Sequence, residues 1–142
     1  MKAKLKGNQM AEYHVVETEF QDQECLLDAL KEMGYTPTVH ETTKQLEGYQ
    51  GDQRQQKAHI IIPRRQVGGS SNDVGFEKVK GKYICHASEY DRAWRTGKKI
   101  NNLKKGYAEK VIMKTVRKHS RYSFKSRKVD EDGNIKIKVR RL

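Results

Sequence analysis

A chain of 142 residues has the length of one domain. Its 35% apolar residues, even with the 11 glycines added, only approach the roughly 45–50% of ordinary globular chains, enough for one sheet and two helices. No run of about 18 apolar residues occurs, which excludes a membrane-spanning helix, and residues 1–10 lack the apolar centre of a secretory signal, so an intracellular protein with no membrane partner is expected. The net charge of +12 is segregated: residues 1–91 hold 12 Lys/Arg against 14 Asp/Glu, and residues 92–142 hold 18 against 4. The last third therefore builds a field that attracts phosphates or acidic proteins.

Residues 1–9, with Lys2, Lys4, Lys6 and a Gly-Asn break, read as a flexible basic arm ahead of a single domain over residues 10–142. His14, Val16, Thr18 and Phe20 alternate with Tyr13, Val15, Glu17 and Glu19, the period of a strand. Asp22 is placed to cap a helix carrying Leu26, Leu27, Leu30 and Met33, which Gly34 ends with Pro37 just beyond. Residues 45–47 form a short strand before the bend Gly48-Tyr49-Gln50-Gly51, and residues 58–62 form an apolar strand closed by Pro63. The loop 66–73 is flexible by composition. Residues 74–79 and 82–87 flank Lys80-Gly81 as a hairpin.

Ile100, Leu103, Tyr107, Val111 and Thr115, joined by Ala108, Ile112 and Val116, predict a second helix of about five turns. Lys104, Lys105, Lys110, Lys114, Arg117, Lys118 and Arg121 fall mostly on its remaining surface. A last hairpin turns at Asp130-Glu131-Asp132-Gly133-Asn134, and in its final strand Ile135, Ile137 and Val139 alternate with Lys136, Lys138 and Arg140. The order β-α-β-β-β-β-α-β-β predicts an α+β fold, a mainly antiparallel sheet of six or seven strands with both helices on one face. The expected core is Val16, Phe20, Leu26, Leu27, Leu30, Ile60, Ile62, Phe76, Leu103, Val111, Ile137 and Val139.

Several pieces resemble a domain-of-unknown-function family that includes the hypothetical chloroplast reading frame thirty-five proteins of algae and cyanobacteria and bacteriophage relatives. They are the helix Leu26-Leu27-Asp28-Ala29-Leu30-Lys31-Glu32-Met33-Gly34-Tyr35, the Gly48 to Gly51 bend, the 58–62 strand, Asp73-Val74-Gly75-Phe76, Tyr107-Ala108-Glu109-Lys110-Val111 and Asp130-Glu131-Asp132-Gly133-Asn134-Ile135. The resemblance implies a small non-secreted protein of the bacterial or phage-infected cytoplasm or the plastid stroma, with an AAA+ ATPase as a possible partner. It supplies no functional residues. It also sets this chain apart, because typical members are more acidic where this one reads Ser123-Phe124-Lys125-Ser126-Arg127-Lys128.

No catalytic constellation emerges, and no enzyme, cofactor or metal is expected. Cys85 and His86 are strand neighbours on opposite faces, and no Cys-x-x-Cys or His-x-x-x-His spacing occurs. Gly68-Gly69-Ser70-Ser71 leads into a strand and lacks the Gly-Lys-Ser/Thr of a phosphate loop. Cys25 and Cys85 are expected to be reduced and unpaired. His59 and His86 could meet across paired strands.

The basic third carries the stronger signal. Lys125 and Arg127 are expected to stand near Lys136 and Lys138 on one hairpin face, where like charges cost stability unless a polyanion offsets them. Trp94, with Tyr90 and Tyr107, lies beside Arg92, Arg95, Lys98 and Lys99, so that a base could stack while cations hold the backbone. The expected interface is Arg92, Trp94, Arg95, Lys110, Lys114, Arg117, Lys125, Arg127, Lys136, Lys138 and Arg140, taking nucleic acid without sequence preference. The alternative is an accessory or adaptor factor that binds protein through an exposed sheet edge, the Gly48 to Gly51 bend and the basic tail.

Overall fold

A computed structural model describes residues 12–119 and 122–141; the expected arm at residues 1–9, and Arg121, lie outside them. Strand β1 (Tyr13–Phe20) leads into α1 (Gln23–Glu32), followed by β2 (Thr38–Glu47), β3 (Gln53–Ile62) and a single helical turn, α2 (Arg64–Val67). Then come β4 (Val74–Val79), β5 (Lys82–Ser88), a second single turn α3 (Arg92–Arg95), the long α4 (Lys98–Lys118), β6 (Tyr122–Val129) and β7 (Ile135–Arg141). The fold is α+β. Its strands form a five-stranded antiparallel sheet in the order β1-β5-β4-β3-β2 and a separate two-stranded sheet, β6-β7.

Local chemistry explains the main turns. Asp22 accepts the Cys25 N–H at 3.0 Å as the cap of α1. Gly34, at φ +99°, closes the helix: its N–H donates to Lys31 O and the Tyr35 N–H to Leu30 O, the paired bonds of a Schellman stop. Between β4 and β5, Lys80 and Gly81 both take positive φ, 52° and 84°, which a two-residue turn matched to the strand twist requires.

One face of the five-stranded sheet packs on the helices. Phe20, Leu26, Leu30, Ile60, Ile62, Phe76 and Leu103 are fully buried there, as expected, with Cys85, Trp94 and Ile100; Val16 and Leu27 pack at its margin. Ile61 of β3 and its partner Gly75 of β4 face the other way, and a second cluster of Leu46, Ala58 and Ile61 forms on that side with Tyr13 against it.

Two expectations are corrected. Strand β2 runs ten residues, Thr38–Glu47, where only residues 45–47 were expected. It is an edge strand, and most of its side chains are exposed, so no apolar alternation marks it. The closing hairpin does not join the main sheet. Ile137 is only half-buried, and Val139 is 39% exposed, because they rest on the far half of α4, beyond the sheet. Val111 is half-buried for the same reason.

Candidate polyanion-binding surface

The expected interface residues separate into three groups with different work. The first group ties α4 to its neighbours. Lys110 Nζ reaches Glu32 Oε2 at 2.7 Å, and Lys114 Nζ reaches Asp22 Oδ2 at 2.6 Å and Glu24 Oε1 at 2.9 Å. The Lys114 ammonium and the Cys25 N–H together hold the Asp22 carboxyl below the usual carboxylate range. Arg127 donates to both oxygens of Glu109, which is buried. These cations surround a cavity of about 670 Å³ between α1, α4 and β6, together with Arg117, Cys25 and Phe124. Lys110, Lys114 and Arg127 are therefore paired within the fold, and a polyanion would have to compete with carboxylates for them.

The second group sits on and around α3, and here the structure removes the stacking platform. Trp94 is 2% exposed and meets Tyr35 and Phe76 edge-on at ring centroid distances of 5.5 and 6.4 Å. Burying the indole is worth more than leaving so large an apolar surface wet, so Trp94 is core. Tyr107 packs edge-on against Phe20 at 4.8 Å, and its hydroxyl accepts the N–H groups of Gln21 and Asp22 at 2.8 and 2.9 Å. Of the three aromatics only Tyr90 is open, at 71%. Arg92 is exposed; Arg95 is half-buried, and its Nε has no hydrogen-bond partner among the described residues.

The third group is the hairpin. Its register pairs Phe124 with Val139, Ser126 with Lys138, Arg127 with Ile137, Lys128 with Lys136 and Val129 with Ile135, with a shift between Phe124 and Ser126. Paired residues share a face. One face thus carries Phe124, Arg127, Val129, Ile135, Ile137 and Val139, and it is turned to α4, where Arg127 meets Glu109 and Phe124 lines the cavity. The opposite face carries Ser123, Ser126, Lys128, Lys136, Lys138 and Arg140, and its four cations are exposed. Lys125 falls at the irregularity and is exposed. The expected juxtaposition of Lys125 and Arg127 with Lys136 and Lys138 is therefore corrected: the register set at the turn pairs Arg127 with Ile137 on the other face, and the directly opposed like charges are Lys128 and Lys136. Lys128 went unrecognised in the sequence, although counting back symmetrically from the acidic turn pairs it with Lys136.

The turn itself is well built. Asp130 Oδ1 accepts the N–H groups of Asp132 and Asn134 at 3.0 and 2.8 Å, bonds that lower its pKa, and Lys105 Nζ donates to Asp132 O at 3.4 Å. The hairpin thus lies along α4, with its turn beside Lys105 and its base at the helix C-terminus.

The sequence profile of a family described as "Protein of unknown function (DUF1257)" matches residues 29–138, 110 of the 142 residues. The chain belongs to this family. No curated protein and no solved structure matches it. The matched span of the DUF1257 protein begins within α1 and ends within β7, so the closing hairpin is part of the family domain.

Other reactive side chains are tied into the fold. Cys25 and Cys85 are free and buried, and burial pushes both thiols up. His59 Nδ1 accepts the Lys78 N–H at 3.0 Å and His86 Nε2 lies 2.8 Å from Glu77 Oε1, so each ring has its own partner. Glu12, His14 and Glu89 bring three donor atoms within 4.8 Å of one another. That group has no Cys or His spacing to reveal it in the sequence, is open to solvent, and has nothing around it that points to an ion. Among the described residues no helix is long and apolar enough to cross a membrane.

Proposed function

We propose that this DUF1257 protein is a non-catalytic binding protein that contacts nucleic acid, or another polyanion, through its closing hairpin. One observation carries the reading: Lys128, Lys136, Lys138 and Arg140 stand exposed on one face of a two-stranded sheet, two of them directly opposed. Opposed like charges destabilise a sheet, and a two-stranded sheet is marginal by itself. Neutralising phosphates releases condensed counterions and removes the repulsion together with it. Lys125, Arg117 and Arg92 are exposed and extend the field; Lys110, Lys114, Arg127 and Trp94 leave the interface. The setting would be the cytoplasm of a bacterial or phage-infected cell, or the plastid stroma, as the family resemblance implies.

Fluorescence anisotropy across a salt series tests this. Log affinity should fall with log salt at about −0.9 per phosphate neutralised on duplex and about −0.7 on single strands. Replacing Lys136, Lys138 and Arg140 by Gln keeps the strand period and should lower both affinity and slope. Failure of the wild type to bind at low salt, or an unchanged slope in the triple variant, would discard the reading.

A second reading, an adaptor for an acidic protein or an AAA+ ATPase, is favoured by a different observation. Phe20, Tyr107, Val111 and Ile112 line an apolar groove of about 490 Å³ beside β1, and β1 is an edge of the main sheet, a ready template for a partner strand. Partners retained from host extract after nuclease treatment, and lost with Ile112→Glu, would favour it.

A further inference from the structure

We infer that the polyanion is B-form duplex DNA and that the β6-β7 ribbon enters its major groove, cationic face first. This rests on the polyanion reading above and narrows it. The first argument is shape. Two strands about 4.8 Å apart make a ribbon that a B-DNA major groove, roughly 12 Å wide, admits. Here the ribbon stands apart from the main sheet, with its apolar face turned to α4 and partly covered by it, Phe124, Val129 and Val139 remaining exposed, and the other face free. That free face carries only Ser123, Ser126, Lys128, Lys136, Lys138 and Arg140, so nothing apolar has to be desolvated against base edges or phosphates.

The second argument is spacing. Alternate residues of β7 stand about 6.8 Å apart; successive phosphates rise only about 3.4 Å along the duplex axis, but because the backbone winds round that axis they stand farther apart along the groove wall, on the scale of that residue spacing. Lys136, Lys138 and Arg140 can therefore follow successive phosphates along a groove wall, while Lys128 stands on the other strand of the ribbon. The acidic turn Asp130-Glu131-Asp132 ends the contact, because phosphates repel it; it sits beside Lys105.

The third argument is exclusion. Single strands are held by aromatic stacking along a basic groove; Trp94 and Tyr107 are committed to packing, and no aromatic of the described residues shares the cationic face. An A-form RNA duplex has a major groove too deep and narrow for side chains to read.

The test uses the full chain with four labelled probes: a mixed-sequence DNA duplex, its single strand, the RNA duplex of the same sequence, and the DNA duplex saturated with distamycin, which fills the minor groove. Expected is binding to duplex DNA at least tenfold tighter than to single-stranded DNA or duplex RNA, unaffected by distamycin, with guanine N7 protected from dimethyl sulfate. Lys128→Gln/Lys136→Gln should weaken binding and reduce the salt slope by about 2, whereas Lys44→Gln/Lys57→Gln, two exposed cations on the β2-β3 hairpin, should not. Circular dichroism confirms that each variant is folded. Equal binding to RNA or single strands, or loss of binding with distamycin and no N7 protection, would overturn the groove assignment and leave the polyanion reading standing. No binding to any nucleic acid probe would sink both.

Discussion

Gly75 occupies a position where a single methyl group has no room. It pairs with Ile61 and His86 on the sheet face away from the helices, and a Cβ there would lie 2.6 Å from Ala58 Cβ and 2.8 Å from Leu46 Cδ2. Gly75→Ala should therefore destabilise the fold by about 1–3 kcal/mol, the range of overpacking in a filled core; a denaturant midpoint equal to wild type would show that the Leu46 cluster yields. Asp22 and Asp73 respond to acid in opposite senses. Asp22, held below its ordinary pKa by Lys114 and the Cys25 N–H, stabilises the fold above the unfolded value of about 3.9, and the contribution is lost as pH falls through the folded value. Asp73 is raised by burial, although its oxygens accept the N–H groups of Glu47 and Arg64 at 2.8 and 2.7 Å. Its ionised form is the costly one, so acid relieves it in part. Asp22→Asn keeps a cap and should flatten the acid limb of the stability profile, measured by urea melts from neutral pH down to about pH 3. An unchanged limb would assign the acid sensitivity to other carboxylates.

Elements differ in how much core they own. β3 lies inside the main sheet, with Ile60 and Ile62 fully buried, whereas β7 lies against α4 with only Ile135 and Ile137 half-buried and its other side chains exposed. Ile60→Ala should cost about 2–5 kcal/mol through lost transfer energy and the cavity left behind. Ile137→Ala should fall below about 2 kcal/mol, since fewer of its contacts are formed away from water. Equal losses in thermal melts would mean that the hairpin is as deeply packed as the sheet. The hairpin is fastened by a polar contact. Arg127 is the only arginine of β6, and losing it leaves the Glu109 carboxylate buried without its charge partner. Arg127→Ala should destabilise more than Lys125→Ala, and Glu109→Gln should recover part of the loss in the Arg127 variant. Recovery by Glu109→Gln would show that the penalty is the stranded charge rather than lost packing of the arginine stem.

At the scale of the molecule, charge is sorted by element. Residues 1–91, which include the main sheet and α1, carry 14 of the 18 acidic residues, while residues 92–142, which include α4 and the hairpin, carry 18 of the 30 basic ones, and the two meet at Lys110–Glu32 and Lys114–Asp22. Those pairs neutralise the inner side of the basic third, so the surplus faces outward on the ribbon. A polyanion that binds only the folded chain raises its stability by mass action, about 2.7 kcal/mol at a hundredfold excess over Kd. Saturating duplex DNA should therefore raise the melting temperature at low salt, and the shift should vanish in high salt as counterion release loses its drive. A shift that persists at high salt would point to apolar contacts instead.

Sequence by itself determined the elements whose signal is local. Asp22 and Gly34 mark the ends of α1, Lys80-Gly81 marks a turn, and the alternation of β7 marks its cationic face, because caps, positive φ and period-two patterning are properties of a few adjacent residues. It also determined the family and the segregation of charge. Tertiary structure decided the rest. Edge strand β2 was legible only in its last three residues, because neither of its faces is fully covered. That β6-β7 forms its own sheet, that Trp94 is core, and that Lys110, Lys114 and Arg127 are paired all depend on which surfaces meet across tens of residues. A lysine on a helix reads the same in sequence whether it faces water or a carboxylate. The one-residue register shift between Phe124 and Ser126 is a further tertiary decision: with a side-chain period of two it moves Phe124 off the cationic face, where it would oppose Arg140, and sets it opposite Val139.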